Sequence, residues 1–285
     1  MKYIRIIPRL DIKGPNLVKG IHLEGLRVLG KPEDFALLYY EQGADELIYQ
    51  DTVASLYQRN NLTEIVTRTA ENIFIPLTVG GGIRNLEDIN KVLRAGADKV
   101  SINTAAIGNP KFINKASRAF GSSTIVVTIE AIQQLDGSYL AYTDNGREYT
   151  GVKVLDWAKE AEERGAGEIL LTSIDREGTG NGYDLDLIRM VVGAVTIPVI
   201  AHGGAANFTH IMDAINEAKA DAVAIASMLH YAAINRNGSL PDRFEDEGNI
   251  EFLSKGSSFK LFGNENITDL KKVINEHNIP LRTLN

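Results

Sequence analysis

Apolar residues fall along this chain in short, unbroken, largely β-branched runs. Each run is followed by a stretch in which apolar positions recur every three or four residues. The runs are Arg5–Leu10, Glu46–Gln50, Ile75–Val79, Lys99–Asn103, Thr124–Ile129, Glu168–Thr172, Pro198–Ala201 and Ala222–Ala226. Runs that do not alternate predict strands covered on both faces, as in a parallel sheet. The amphipathic stretches Pro32–Gln42, Asn61–Glu71, Leu86–Ala95, Lys111–Ala119, Leu155–Arg164, Asp184–Val192 and Phe208–Ala218 predict helices between them. Eight strands alternating with helices predict an α/β fold, a single (β/α)8 TIM barrel over residues 1–285. An open, doubly wound sheet is the competing arrangement, and the strand count and an internal repeat weigh against it.

That repeat is read directly from the residues. Gly43-Ala44-Asp45-Glu46-Leu47-Ile48 resembles Gly165-Ala166-Gly167-Glu168-Ile169-Leu170, and Gly81-Gly82 resembles Gly203-Gly204, both at an offset of 122. Ala97-Asp98-Lys99-Val100-Ser101-Ile102 resembles Ala220-Asp221-Ala222-Val223-Ala224-Ile225 at an offset of 123. A near-constant offset predicts a duplicated half-barrel of four βα units. Two long segments, Lys13–Lys31 and Gln133–Gly151, read as loops on the catalytic face, where mobile lids arise. Asn235–Glu265 is rich in Asn, Gly, Ser and charge and reads as an insertion after the eighth strand. A final helix at Thr268–His277 closes the ring.

Composition narrows the function. With 285 residues and 44% apolar content the chain can bury one large core. A net charge of −7 excludes a global basic field for nucleic acid or an anionic membrane. There is no cysteine, hence no disulfide and no thiolate metal site. The first residues enter a strand at once, without a signal-peptide pattern, and no apolar run has the length of a membrane span. A soluble, cytoplasmic protein is expected.

Two glycine-rich turns end corresponding strands, Val79-Gly80-Gly81-Gly82 and His202-Gly203-Gly204-Ala205. Glycine lets the backbone approach an anion, and the following helix points its N–H groups at it. One βα unit later each is joined by a small polar turn, Ser101-Ile102-Asn103-Thr104 in the first half and Ala226-Ser227 in the second. Two such cradles predict two phosphates across one barrel mouth, and so an elongated bisphosphate. Between them stand Asp11, ending the first strand, and its repeat counterpart Glu130, a pair suited to general acid and base. Lys19, Asp51 and Glu177 are expected on the same face. On the opposite face Arg5, Glu46, Lys99 and Glu168 begin four strands with mixed charge and can form a ring of ion pairs, either a rim network or a gate across the axis. The five histidines lack metal-ligand spacing, and His210, His230 and His277 read as helix or surface residues. No metal and no cofactor are expected.

These residues resemble the cyclase subunit family of imidazole glycerol phosphate synthase, from histidine biosynthesis, over nearly the whole chain. The resemblance rests on Arg5-Ile6-Ile7-Pro8, Asp11, Leu17-Val18-Lys19-Gly20, Asp45-Glu46-Leu47, Thr78-Val79-Gly80-Gly81-Gly82-Ile83, the run Gly96–Ala105 and the run Gly165–Arg176. It implies a barrel that receives ammonia along its axis from a separate glutaminase subunit in a heterodimer. The ammonia is added to a ribulosyl aminoimidazole bisphosphate, giving imidazole glycerol phosphate and an aminoimidazole carboxamide ribotide. It places the family's ammonia gate on Arg5, Glu46, Lys99 and Glu168, and a glutaminase-facing position on Asp98. Thr172 and Gly178 complete the expected substrate-binding set of Lys19, Asp51, Gly82, Asn103, Thr104, Glu177, Gly203, Gly204, Ala226 and Ser227. The chain departs from the family where Glu130 and Glu177 replace aspartates, Arg9 replaces a small residue, and His202 replaces a small hydroxyl residue. Paralogues that make an acetamidino group on surface sugars define an alternative acceptor. A glutaminase-activating barrel without chemistry and the sister sugar isomerase are two further readings, and the gate residues argue against the isomerase.

Overall fold

The computed structural model describes residues 3–54, 62–237 and 262–282. A twelve-stranded sheet contains β1 (Arg5–Lys13), β2 (Asn16–Ile21), β3 (Glu24–Gly30), β4 (Leu47–Asp51), β5 (Leu77–Gly80), β6 (Lys99–Ile102), β7 (Ile125–Gln133), β8 (Tyr139–Thr143), β9 (Glu148–Lys153), β10 (Glu168–Ser173), β11 (Val199–His202) and β12 (Ala222–Ile225). Eight of these, β1, β4, β5, β6, β7, β10, β11 and β12, pair in parallel, and the β12–β1 pairing closes the ring. The fold is therefore the expected (β/α)8 barrel.

The helices are α1 (Pro32–Glu41), α2 (Leu62–Ala70), α3 (Leu86–Arg94), α4 (Thr104–Gly108), α5 (Lys111–Phe120), α6 (Val154–Glu163), α7 (Leu185–Val192), α8 (Phe208–Asn216), α9 (Ser227–Asn237) and α10 (Ile267–Glu276). Helices α4 and α9 were not foreseen; α4 is a single short turn, and the weak amphipathicity of α9 left no periodic signal. The insertion read from Asn235 therefore begins inside α9; residues 238–261, and Asn61 of the second predicted helix, lie outside the described residues.

The duplication extends into details that composition could not show. Asn85 and Asn207, 122 residues apart, both cap their helices from extended backbone, accepting from the N–H of Asp88 and His210. Asp45, Asp98 and Asp221 each accept a backbone N–H at the start of a neighbouring barrel strand, from Ile6, Leu77 and Val199. The Ala-Asp signature of the repeat is thus a strand-end cap. The segments Lys13–Lys31 and Gln133–Gly151 correct the loop reading. Each is an antiparallel extension of the preceding strand, β1 into β2–β3 and β7 into β8–β9. Both tips turn through left-handed residues, His22–Leu23 and Asp144–Asn145, again 122 apart.

Along the axis the interior is layered. Arg5, Glu46, Lys99 and Glu168 close the end where the strands begin. Ile7, Ile48, Val126, Leu170, Ile200, Ala222 and Ala224 form an apolar layer above them. The main core lies outside the ring, between strands and helices. No described helix is long and apolar enough to cross a membrane.

Candidate active site

At the mouth, strand alternation puts Arg9 and Asp11 on one inward face of β1, and Thr128 and Glu130 on the matching face of β7. All four are buried. Asp11 is enclosed by cations. Arg9 Nε donates to its Oδ1 at 3.0 Å and Lys19 Nζ to its Oδ2 at 2.8 Å. Burial alone would push this carboxyl up, but Arg9 and Lys19 outweigh burial and hold it well below the usual carboxylate range. Asp11 is therefore a fixed anion near neutral pH.

Glu130 behaves oppositely. It has no cation bonded to it; its Oε2 accepts only the Gly146 N–H at 2.9 Å, presented by the β8–β9 tip. Burial pushes its carboxyl up to about 7, with Asp11 and Asp144 adding to the rise against Arg9 and the Gly146 bond. The two buried carboxyls of one mouth thus differ widely in their affinity for protons.

The first cradle is open. A cavity of about 390 Å³ is lined by Gln50, Asp51, Gly81, Gly82, Ser101, Asn103, Thr104, Thr128 and Glu130, with Asp144 and Asn145 at the rim. Gly81 and Gly82 take positive φ of 101° and 69°, and a side chain at Gly81 would strike the backbone of Asp51. Asp51 itself turns onto the Val53 and Ala54 N–H groups at 2.9 and 2.8 Å, and burial raises its affinity for a proton. Asn103 and Thr104 hold the roof, through Asn103 Nδ2 to the Tyr142 carbonyl and the Asp144 N–H to Thr104 Oγ1.

The second cradle repeats the left-handed double-glycine turn but leaves little space. Gly203 and Gly204 have φ of 104° and 103°, yet the void bounded by Glu177, Gly178, His202, Gly203, Gly204, Ala226 and Ser227 measures about 10 Å³, room for about one water. The β2–β3 hairpin is latched over it. Lys19 Nζ bonds Glu177 Oε1, the Leu23 N–H donates to Glu177 Oε2 at 2.9 Å, and the His22 N–H donates to the Glu177 carbonyl at 3.0 Å. Asn145 Nδ2 donates to the Leu23 carbonyl, joining the two hairpin tips. Glu177 has the reach to serve Lys19 and Leu23 together.

At the far end Arg5 binds Glu46 at 2.8 Å and Glu168 at 3.0 Å, and Lys99 binds the same two carboxylates at 3.1 and 2.7 Å. Burial opposes the Arg5 charge, but Glu46 and Glu168 more than offset it and raise its affinity for its proton. The expected ring is complete, with each charge shared by two partners.

The structure thus gathers Asp51, Gly82, Asn103, Thr104 and Glu130 at one cavity, and Glu177, Gly178, Gly203, Gly204, Ala226 and Ser227 at the other. Asp11, Lys19 and Thr172 line neither; they lie beneath, in the buried polar network. Sequence reading missed Gln50, Thr128 and Asn145 as lining residues. The 122-residue offset from Thr172 to Gln50 would have found one of them. His230 lies on a helix, as one side of the helix-or-surface reading had it, but not at the surface. It is fully buried on α9, accepting from the Tyr39 hydroxyl at 2.6 Å and donating from Nε2 to the Arg9 carbonyl at 3.0 Å. Among the described residues no group of three His, Asp or Glu is placed to hold a metal ion.

A closed eight-stranded barrel, duplicated in halves, with paired carboxylates at one end and an ion ring at the other, defines a class of biosynthetic barrel. The family model described as "Histidine biosynthesis protein" matches residues 5–235, and the chain belongs to that family. It is 62% identical over 204 residues to the imidazole glycerol phosphate synthase subunit HisF of Legionella pneumophila, covering 72% of this chain and 96% of the relative. To the proteins of the same name from Trichormus variabilis and a Nostoc species it is 50% and 49% identical, each over 81% of this chain and at least 90% of the relative. Each of these relatives is named as a subunit.

Proposed function

We propose that the chain is the cyclase subunit of an imidazole glycerol phosphate synthase, a lyase of histidine biosynthesis. The observation that carries this is axial: an ion ring closes one end of the barrel, an apolar layer lines the middle, and a split carboxylate pair stands at the other end. An apolar lining suits neutral ammonia and opposes ammonium, whose burial without a partner is costly. The ring is the expected docking face for a glutaminase subunit, and it must part for ammonia to enter. Glu130, which gains and loses a proton near neutrality, serves as acid and base in addition and ring closure. Asp11 stays ionised and holds Lys19 and Arg9 in place.

The substrate's two phosphates belong in the two cradles. The open one, at Gly82, Asn103 and Thr104, takes the first. The second, at Gly203, Gly204 and Ser227, becomes available when the Lys19–Glu177 latch releases. The test is the purified chain with the ribulosyl bisphosphate and excess ammonium at alkaline pH. Formation of imidazole glycerol phosphate and the carboxamide ribotide is expected; a folded barrel that makes neither ends this reading. The relatives' names give no support to a sugar acceptor.

A further inference from the structure

Arg9 is unused by the steps above, and its environment is incomplete. It is fully buried. Its side chain crosses the barrel interior from β1, with Nη1 reaching Thr172 Oγ1 on β10 at 3.1 Å and His202 Nδ1 on β11 at 3.0 Å. His202 is held neutral by burial and by Arg9 itself, so its Nδ1 accepts this bond. Nε–H binds Asp11, which leaves Nη2 without any hydrogen-bond partner. A buried, charged donor without an acceptor is costly, and folded proteins keep one where a ligand completes it.

The repeat sharpens this. The position corresponding to Arg9, two residues before Glu130, is Thr128, whose buried Oγ1 is also unpartnered and lines the open cavity. Both incomplete groups stand two residues before a mouth carboxylate; Thr128 lines the open cavity, and Arg9 is enclosed in the polar network beneath it. Arg9 is also pre-set. Its carbonyl is fixed by His230, whose ring stacks on Tyr39 and accepts that residue's hydroxyl proton. A guanidinium held at backbone, Nε and Nη1 has lost its freedom before any ligand arrives, which is what stabilising a developing charge requires.

We propose that Arg9 is a catalytic residue, its Nη2 hydrogens receiving the carbonyl oxygen of the substrate's ribulosyl chain where ammonia leaves the barrel axis. This rests on the cyclase reading. The ammonia lone pair forms the C–N bond while the C=O π pair moves onto oxygen, and Arg9 meets the charge there. The oxygen takes the proton of the neutral Glu130 carboxyl, and the nitrogen returns a proton to the resulting carboxylate. The product of the step is a neutral carbinolamine.

Wild type, Arg9→Ala and Arg9→Lys are compared with the ribulosyl substrate at saturating ammonium. Arg9→Ala is expected to lower kcat by about 10²- to 10³-fold, the range for loss of one oxyanion donor. Arg9→Lys recovers part of the loss, and added guanidinium restores turnover to Arg9→Ala, which a purely structural role would not give. A kcat for Arg9→Ala within about threefold of wild type overturns the inference. If Arg9→Ala does not fold, side-chain nitrogen NMR of wild type decides. The Arg9 Nη signals, assigned by their loss in Arg9→Lys, shift when substrate saturates the protein without ammonium; unmoved signals overturn the inference. A wild type without turnover defeats the cyclase reading and this inference together, whereas an active wild type with an unaffected Arg9→Ala defeats the inference alone.

Discussion

Strands β5 and β11 end in the same double-glycine turn, yet one opens on about 390 Å³ and the other on about 10 Å³. The backbones agree: the first glycines of the turns, Gly81 and Gly203, have φ of 101° and 104°. Bonds from Lys19, His22 and Leu23 to Glu177 latch the β2–β3 hairpin over the second turn, and side chains differ at matched positions. Gly80 in the first half corresponds to His202 in the second, and Gly80 has no room for even a methyl beside Ser101 and Gln50. His202 turns inward to Arg9 and Thr172 and fills the second half. The same asymmetry separates the carboxylates, since the cations Arg9 and Lys19 bond Asp11 and leave Glu130 alone. A duplicated fold thus supplies two equivalent frames, and a few side chains give one half a cation-bound anion and the other a carboxyl that burial makes readier to hold a proton.

The comparison is broken most severely at Asp11. Asp11→Asn is expected to cut kcat by about 10²-fold or more, because the anion that positions Lys19 and Arg9 is gone. Steady-state rates on the folded variant check this, and a loss below about tenfold would mean that the two carboxylates are not specialised. Next comes His202→Gly, which makes the second half resemble the first. It is expected to cost about 2–4 kcal/mol in thermal or denaturant unfolding, as for other buried large-to-small changes.

Glu130 gives a pH signature. Folded Glu130 keeps its proton up to about 7, whereas the unfolded chain releases it near 4.5. Between those values the folded state holds more protons, so stability falls as pH rises, by on the order of 3 kcal/mol in all. Asp11 has the opposite sign: its contribution is present above its ordinary value of 3.8 and is lost as pH falls below it. Denaturant titrations of wild type and Glu130→Gln separate them. The variant loses the decline between pH 4.5 and 7, and a wild type without that decline refutes the assignment. The smallest effect is expected from Thr104→Val, about 1 kcal/mol of phosphate affinity, from removing one hydroxyl at the open cradle. Calorimetric titration with phosphate would measure it.

Much of this was legible in the residues. Unbroken apolar runs reported both-face burial, a near-constant offset of 122–123 reported the duplication, and the matching strand ends paired Asp11 with Glu130 at an offset of 119. The ion ring followed from charges at four strand starts. What stayed hidden is tertiary. The Lys13–Lys31 and Gln133–Gly151 segments pair as hairpins; the second carries Asp136-Gly137 and Asn145-Gly146, turn pairs from which it could have been read, whereas the His22–Leu23 tip carries no such pair. Leu23 is held in its left-handed conformation by contacts to Glu177 and Asn145, far away in sequence. The closure of the second cradle depends on the same latch. His230 read as a helix or surface residue because α9 is only weakly amphipathic; its burial follows from packing on Tyr39 and Arg9.

The central claim is that ammonia meets the substrate at the barrel mouth and becomes part of the imidazole ring. Incubating wild type with the ribulosyl bisphosphate and ¹⁵N-labelled ammonium, with mass analysis of the products, tests it directly. The account predicts one label in imidazole glycerol phosphate and none in the carboxamide ribotide. Unlabelled imidazole product, label in the ribotide, or a folded chain that forms neither product would contradict it.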